Sequence, residues 1–120
     1  NYNYEGKSFE TEMKYKILGT SINNLIENNI LEIPDYIKID VDGIEHIILK
    51  GGDKFLLNNK IKSLLIEVNE NFEQQYEAVL SIMKKNGFKI LKKKNNESLF
   101  DFDSNNTFSK VFNYIFIRQR

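Results

Sequence analysis

An α/β fold built on a largely parallel sheet is what this sequence predicts, and three observations predict it. Apolar strand-like segments alternate with segments of helical period along most of the chain, the pattern of βα units. Ser63 to Val68 is a nearly continuous apolar run bounded by polar residues, which suits a strand buried on both faces. The last two strand-like segments have no helix between them, so they are expected to pair antiparallel and give a mixed sheet edge. At 120 residues, the chain is expected to form one domain with one core.

Each element follows from local pattern. Residues 1–12 are polar and aromatic and read as an entry loop or edge strand. Lys14 to Leu18 reads as a short strand closed by Gly19, and as the first strand it would leave an exposed edge. Thr20 or Ser21 can cap a helix, because a hydroxyl satisfies an orphan N–H there. Ile22, Leu25, Ile26 and Ile30 form that helix's stripe, and Pro34 ends it. Tyr36 to Val41 is the best strand, with Ile37, Ile39 and Val41 on one side and Lys38, Asp40 and Asp42 on the other. Gly43 permits a sharp turn into a helix carrying Ile44, Ile47 and Ile48 on one face, broken by Gly51 and Gly52. Phe55 to Leu57 reads as a further helical turn before the strand at Ser63. Phe72, Tyr76, Val79, Leu80 and Met83 give a helical stripe, with Gly87 as its C-terminal cap. Phe88 to Leu91 is the next strand, Lys92 to Asn96 reads as a turn, and Ser98 to Ser109 reads as a loop anchored by Leu99, Phe100 and Phe102. Val111 to Ile117 is the closing strand. The pairs Asn23-Asn24, Asn28-Asn29 and Asn58-Asn59 read as the bias of an AT-rich coding sequence, with little structural weight.

Composition excludes several functions. Seventeen basic residues balance seventeen acidic ones, against the basic excess of a phosphate-neutralising nucleic-acid binder. No cysteine is present, so disulfides, thiolate zinc sites and a cysteine nucleophile are excluded. A single histidine, His46, excludes a multi-histidine metal site, and it reads as a surface or rim residue rather than a base. No apolar run is long enough to span a membrane and no signal peptide is visible, so a cytoplasmic location is the default expectation.

In an open α/β sheet, ligands sit outside the carboxyl ends of the strands. Two acidic clusters fall there: Asp40 to His46 after one strand and Glu67 to Glu70 after the next. If those strands are neighbours, Asp40 and Glu67 are close enough to share a proton, a cation or a lysine. Lys38, one pleat before Asp40, is expected to pair with one of these carboxylates, whether as a structural ion pair or as part of a site. Lys92-Lys93-Lys94 reads as a solvated turn rather than an anion site. A calcium loop fails, because Lys38 and Leu49 stand where it needs carboxylates. Ile37 to Gly43 also resembles the nucleophile motif of haloacid-dehalogenase-like phosphohydrolases, with Asp40 as nucleophile and Asp101-x-Asp103 as the only late acidic pair for magnesium.

A fuller resemblance is carried by Pro34-Asp35-Tyr36-Ile37-Lys38-Ile39-Asp40-Val41-Asp42-Gly43-Ile44-Glu45, then Leu49-Lys50-Gly51-Gly52, then the strand Leu64 to Val68 with Glu67. This segment resembles the FkbM family of methyltransferases, whose signature runs Lys-hydrophobic-Asp-hydrophobic-Glu-Gly-x-Glu, then a Leu-x-Gly step, then a strand ending in Glu. Ser21-Ile22-Asn23-Asn24-Leu25 resembles the family's upstream Thr-Leu-Asp-x-Leu. Asp42 stands where glutamate is usual and Asn23 where aspartate is usual. No Gly-x-Gly element exists in the chain, although class I methyltransferases bind S-adenosylmethionine on a glycine-rich first loop. By the resemblance, residues 1–120 look like the C-terminal part of a Rossmann-like methyltransferase sheet, its later strands only, mostly parallel with an antiparallel C-terminal strand. The nucleotide-binding half would lie upstream of Asn1.

The resemblance implies S-adenosylmethionine-dependent methylation, most readily of a hydroxyl on a small molecule or glycan. Asp40, Asp42, Glu45 and Glu67 are the implied catalytic residues, with Asp40 nearest the methyl group and the cofactor contact. Asp40 or Glu45 could take the proton, or Asp40 and Glu67 could hold magnesium, although no spacing demands a metal. Blander roles exist: Asp42 can cap the following helix and Glu45 can favour its N-terminus. The rival classes are a non-catalytic α/β interaction module, with a homodimer through an exposed sheet edge as one form, and the phosphohydrolase.

Overall fold

The computed structural model describes residues 7, 8, 10, 13–95 and 110–119. Ser21 opens α1 (Ile22–Glu27), its hydroxyl accepting from the Asn24 N–H as expected of a cap. The helix stops earlier than its apolar stripe suggested. Asn29 takes a left-handed conformation (φ 58°), and the Ile30 N–H bonds back to the Leu25 carbonyl, a Schellman-type closure. Ile30 is therefore exposed rather than part of the buried face. β1 (Tyr36–Ile39) follows, then α2 (Glu45–Lys50), α3 (Asp53–Leu56), β2 (Ser63–Asn69), α4 (Glu73–Lys85), β3 (Phe88–Asn95) and β4 (Val111–Arg118). Gly87 follows α4 with φ 79°, at the expected place.

The sheet order is β1-β2-β4-β3. β1 and β2 are parallel, whereas β4 lies between β2 and β3 and runs antiparallel to both. The expected mostly parallel sheet is therefore corrected. β1, β2 and β3 do point the same way, but inserting the returning strand β4 leaves only one parallel neighbour pair among the described strands. The predicted antiparallel pairing of the last two strands forms, and β3 lies at the edge of the described sheet.

β2 alternates fully buried Leu64, Ile66 and Val68 with half-buried Ser63, Leu65, Glu67 and Asn69, so one face is sealed rather than both. The sealed face meets Leu49 of α2 and Val79 and Met83 of α4, and it continues into Tyr114 and Phe116 of β4. Burial of these side chains, each contributing about 1.5–3 kcal/mol, is the main source of stability.

Three further expectations change. Lys14 to Leu18 forms no strand: Tyr15, Ile17 and Leu18 are exposed, and a strand without a partner ladder leaves its backbone unpaired. In α2 the inward residues are Glu45, Ile48 and Leu49, which leaves Ile44 and Ile47 outside, because the turn before the helix sets its phase one residue later. Lys92 to Asn95 is not a turn but the second half of β3, held in register against β4. The predicted loop Ser98 to Ser109, with Leu99, Phe100, Phe102, Asp101 and Asp103, lies outside the described residues.

Candidate functional site

The site begins where β1 ends. Ile39 pairs with Ile66, which places Asp40 level with Glu67 one step beyond the ladder. The chain then reverses in a three-residue turn, with the Gly43 N–H donating to the Val41 carbonyl at 2.6 Å. Gly43 has φ 96°, a conformation that a Cβ would strain, so glycine is required for α2 to start here.

Glu45, in the first turn of α2, points inward and is only 5% exposed. One carboxylate oxygen accepts from the Gly43 N–H at 3.2 Å. Burial pushes the Glu45 carboxyl above its ordinary value. Backbone N–H groups of the turn oppose that rise, and the charge of Glu67 adds to it. Asp42 makes no cap for α2, which has no side-chain cap at all.

Asp42, Gly43, Glu45, Glu67, Asn69, Phe72 and Val111 line one small cleft, open to solvent, at the carboxyl ends of β1 and β2. Three of the four predicted catalytic residues thus share a wall. The fourth, Asp40, stands outside the lining, where Lys38 holds it at 2.7 Å across exposed surface. That pair is the expected partnership of Lys38, whose ammonium is pushed up by the bond to Asp40 and, more weakly, by Glu67. His46 does not line the cleft; burial first, then Lys50, lowers its imidazole. Among the described residues no group of three or more histidine, aspartate or glutamate side chains could hold a metal, so the magnesium alternative finds no ligand set there.

Glu70 leaves the rim. Its carboxylate accepts from the Tyr114 hydroxyl and pairs with Lys93, whose ammonium lies 3.8 Å from the centre of the Phe112 ring. Burial, then the Glu70 bond, pushes the Tyr114 phenol up. This cluster ties the chain after β2 to β3 and β4. It was not legible in sequence, since its members lie far apart along the chain.

The segment upstream of the site is tied in by glycine. A Cβ on Gly52 would lie 3.2–3.3 Å from Ile22, so its absence lets α1 pack on the α2–α3 junction. There the Asn23 amide donates to Asp53 at 2.7 Å, and its backbone N–H bonds Gly51. This explains why asparagine serves at position 23. Aspartate there would set two carboxylates against each other. Asn23→Asp is expected to cost about 1–2 kcal/mol at neutral pH. The loss should shrink as pH falls and the carboxylates protonate, and it should vanish in Asn23→Asp/Asp53→Asn. Urea titrations at two pH values check it.

The methyltransferase FkbM domain profile matches residues 7–90, which is 84 of the 120 residues and includes Asn23, the turn at Gly43 and all four cleft-region carboxylates. No curated protein and no solved structure matches the chain.

Proposed function

Because the chain belongs to the FkbM methyltransferase family, we propose that it serves S-adenosylmethionine-dependent O-methylation of a hydroxyl on a small molecule or glycan, with Glu45 as the general base. The observation that carries this reading is Glu45 itself: a carboxylate buried by position, raised by that burial and by Glu67, and lining a solvent-open cleft within the matched segment. A base must sit where the acceptor can enter and hold protons more tightly than a free carboxylate does.

Bound S-adenosylmethionine would supply a methyl group on a cationic sulfonium. The donor set suits that cation, since Asp42, Glu45 and Glu67 bring three carboxylates and no lysine or arginine to the lining. Asp40 is the proposed cofactor contact, positioned by Lys38. The remaining work of these residues is to orient the acceptor hydroxyl against the cleft wall and accept its proton. No Gly-x-Gly element is present to cradle the nucleoside, and we assign that task to strands upstream of the 120 residues. The family match lends nothing to the phosphohydrolase alternative.

Calorimetric titration of S-adenosylmethionine tests the proposal, with the chain alone and with the chain extended upstream by one βαβαβ half. Binding to the extended chain only is the expected result. Binding to neither overturns the methyltransferase reading in favour of an interaction module. Binding to the short chain alone means that the cleft holds the cofactor without the glycine loop.

A further inference from the structure

We propose that the β3 edge of the sheet docks on an anionic lipid bilayer. The stretch 84–95 carries six lysines and no acidic residue, in a chain of zero net charge. The segment that follows it, 96–109, adds only Glu97, Asp101 and Asp103. The asymmetry is therefore local and positive.

The backbone arranges these lysines. β3 is an edge strand among the described residues, and its register against β4 shifts between Ile90 and Lys92. Without that bulge at Leu91, Lys89 would share a face with Leu91 and Lys93. With it, Lys89, Lys92 and Lys94 stand opposite Ile117, Ile115 and Asn113, in one row on the sheet face away from α2 and α4. All three are exposed, and none forms an ion pair among the described residues. Lys93 faces the other way and is taken by Glu70.

An apolar side chain decides the class of partner. Leu91, at the bulge between Lys89 and Lys92, is 61% exposed, whereas Ile90 pairs with Phe116 and stands on the other face. A soluble polyanion offers nothing for Leu91 to enter, whereas the headgroup boundary of a bilayer accepts both the charge and the apolar chain. Lysines on an edge strand also discourage sheet-to-sheet aggregation. That role alone gives no preference between neutral and anionic vesicles.

Vesicle sedimentation of the intact chain separates these readings. Phosphatidylcholine vesicles containing about a third phosphatidylserine are expected to carry the chain down, and pure phosphatidylcholine vesicles are not. Lys89→Gln/Lys92→Gln/Lys94→Gln should weaken the partition about 100-fold, at about fivefold per lysine. Leu91→Ser should weaken it several-fold, and added salt should release the protein. Circular dichroism confirms that these surface variants fold. Equal sedimentation with both vesicle types overturns the proposal, as does a triple variant that binds like the parent. Binding to heparin in place of vesicles, unaffected by Leu91→Ser, assigns the edge to a soluble polyanion instead. Because the readout is lipid partition, its failure leaves the methyltransferase reading untouched.

Discussion

Arg118→Ala is expected to destabilise the chain by about 3 kcal/mol. The guanidinium of Arg118 is half-buried with no carboxylate partner among the described residues; its hydrogen bonds there go to backbone carbonyls. Its Nε donates to Ile61 at 2.8 Å, and its terminal nitrogens donate to Leu56 at 2.7 Å, Asn58 at 2.8 Å and Asn86 at 3.3 Å. These carbonyls lie at or just beyond the C-terminal ends of α3 and α4 and before β2, where helix dipoles leave negative charge and orphan acceptors. The guanidinium also stacks 4.3 Å from the Phe88 ring. One side chain therefore closes two helices and fastens β4 to both. Truncation strips four carbonyls of a charged donor, and a single lysine ammonium cannot span them, so Arg118→Lys should recover less than half of the loss. Urea denaturation should show a lower midpoint with an unchanged slope, and the melting temperature should fall by about 12 °C. A loss below about 1 kcal/mol would show that water replaces the guanidinium at these carbonyls.

Sequence pattern located the elements well where one face is buried. The strands at Tyr36 and Ser63, the α4 stripe and the turn at Gly43 were legible because periodicity and glycine report burial and backbone conformation directly. Asp42, Glu45 and Glu67 came together because parallel pairing of β1 and β2 brings their carboxyl ends to one rim. Lys14 to Leu18 failed because its alternation describes only one side of an interaction, and no described strand supplies the other. Lys92 to Asn95 failed because three consecutive lysines look solvated, and register against β4 outweighed composition.

The asparagine pairs were undervalued for a related reason. Coding bias explains their number but not their positions. Asn28 closes α1, Asn29 supplies the left-handed residue, Asn23 bonds Asp53, and the Asn58 side chain accepts from the Lys60 N–H. Arg118 was missed because four backbone carbonyls leave no trace in side-chain sequence. Each miss depends on pairing at long range or on backbone groups, which one-dimensional periodicity does not record.

Glu45→Gln is expected to lower kcat of the S-adenosylmethionine-loaded enzyme by about 10²–10⁴-fold while leaving the fold intact. The stability half of that expectation follows from sign. The folded-state carboxyl is raised above its unfolded value, so ionising it opposes folding. Its contribution to stability is full below the unfolded value and is lost as pH rises through the folded one. At neutral pH a neutral glutamine removes that opposing charge and can still accept from the Gly43 N–H, so urea stability should not fall. A base must be ionised to act, so kcat/KM should rise with pH through the Glu45 titration. Glu67→Gln removes a like charge that helps to raise Glu45, and the acidic limb of the profile should therefore move to lower pH. A purely structural Glu45 predicts the opposite pair of results: stability lost in Glu45→Gln, and a pH profile that Glu67→Gln leaves in place. Asp40→Asn distinguishes the remaining role. If Asp40 is the cofactor contact proposed above, outside the cleft lining, its neutralisation should raise the KM for S-adenosylmethionine, with less effect on kcat and no shift of the acidic limb.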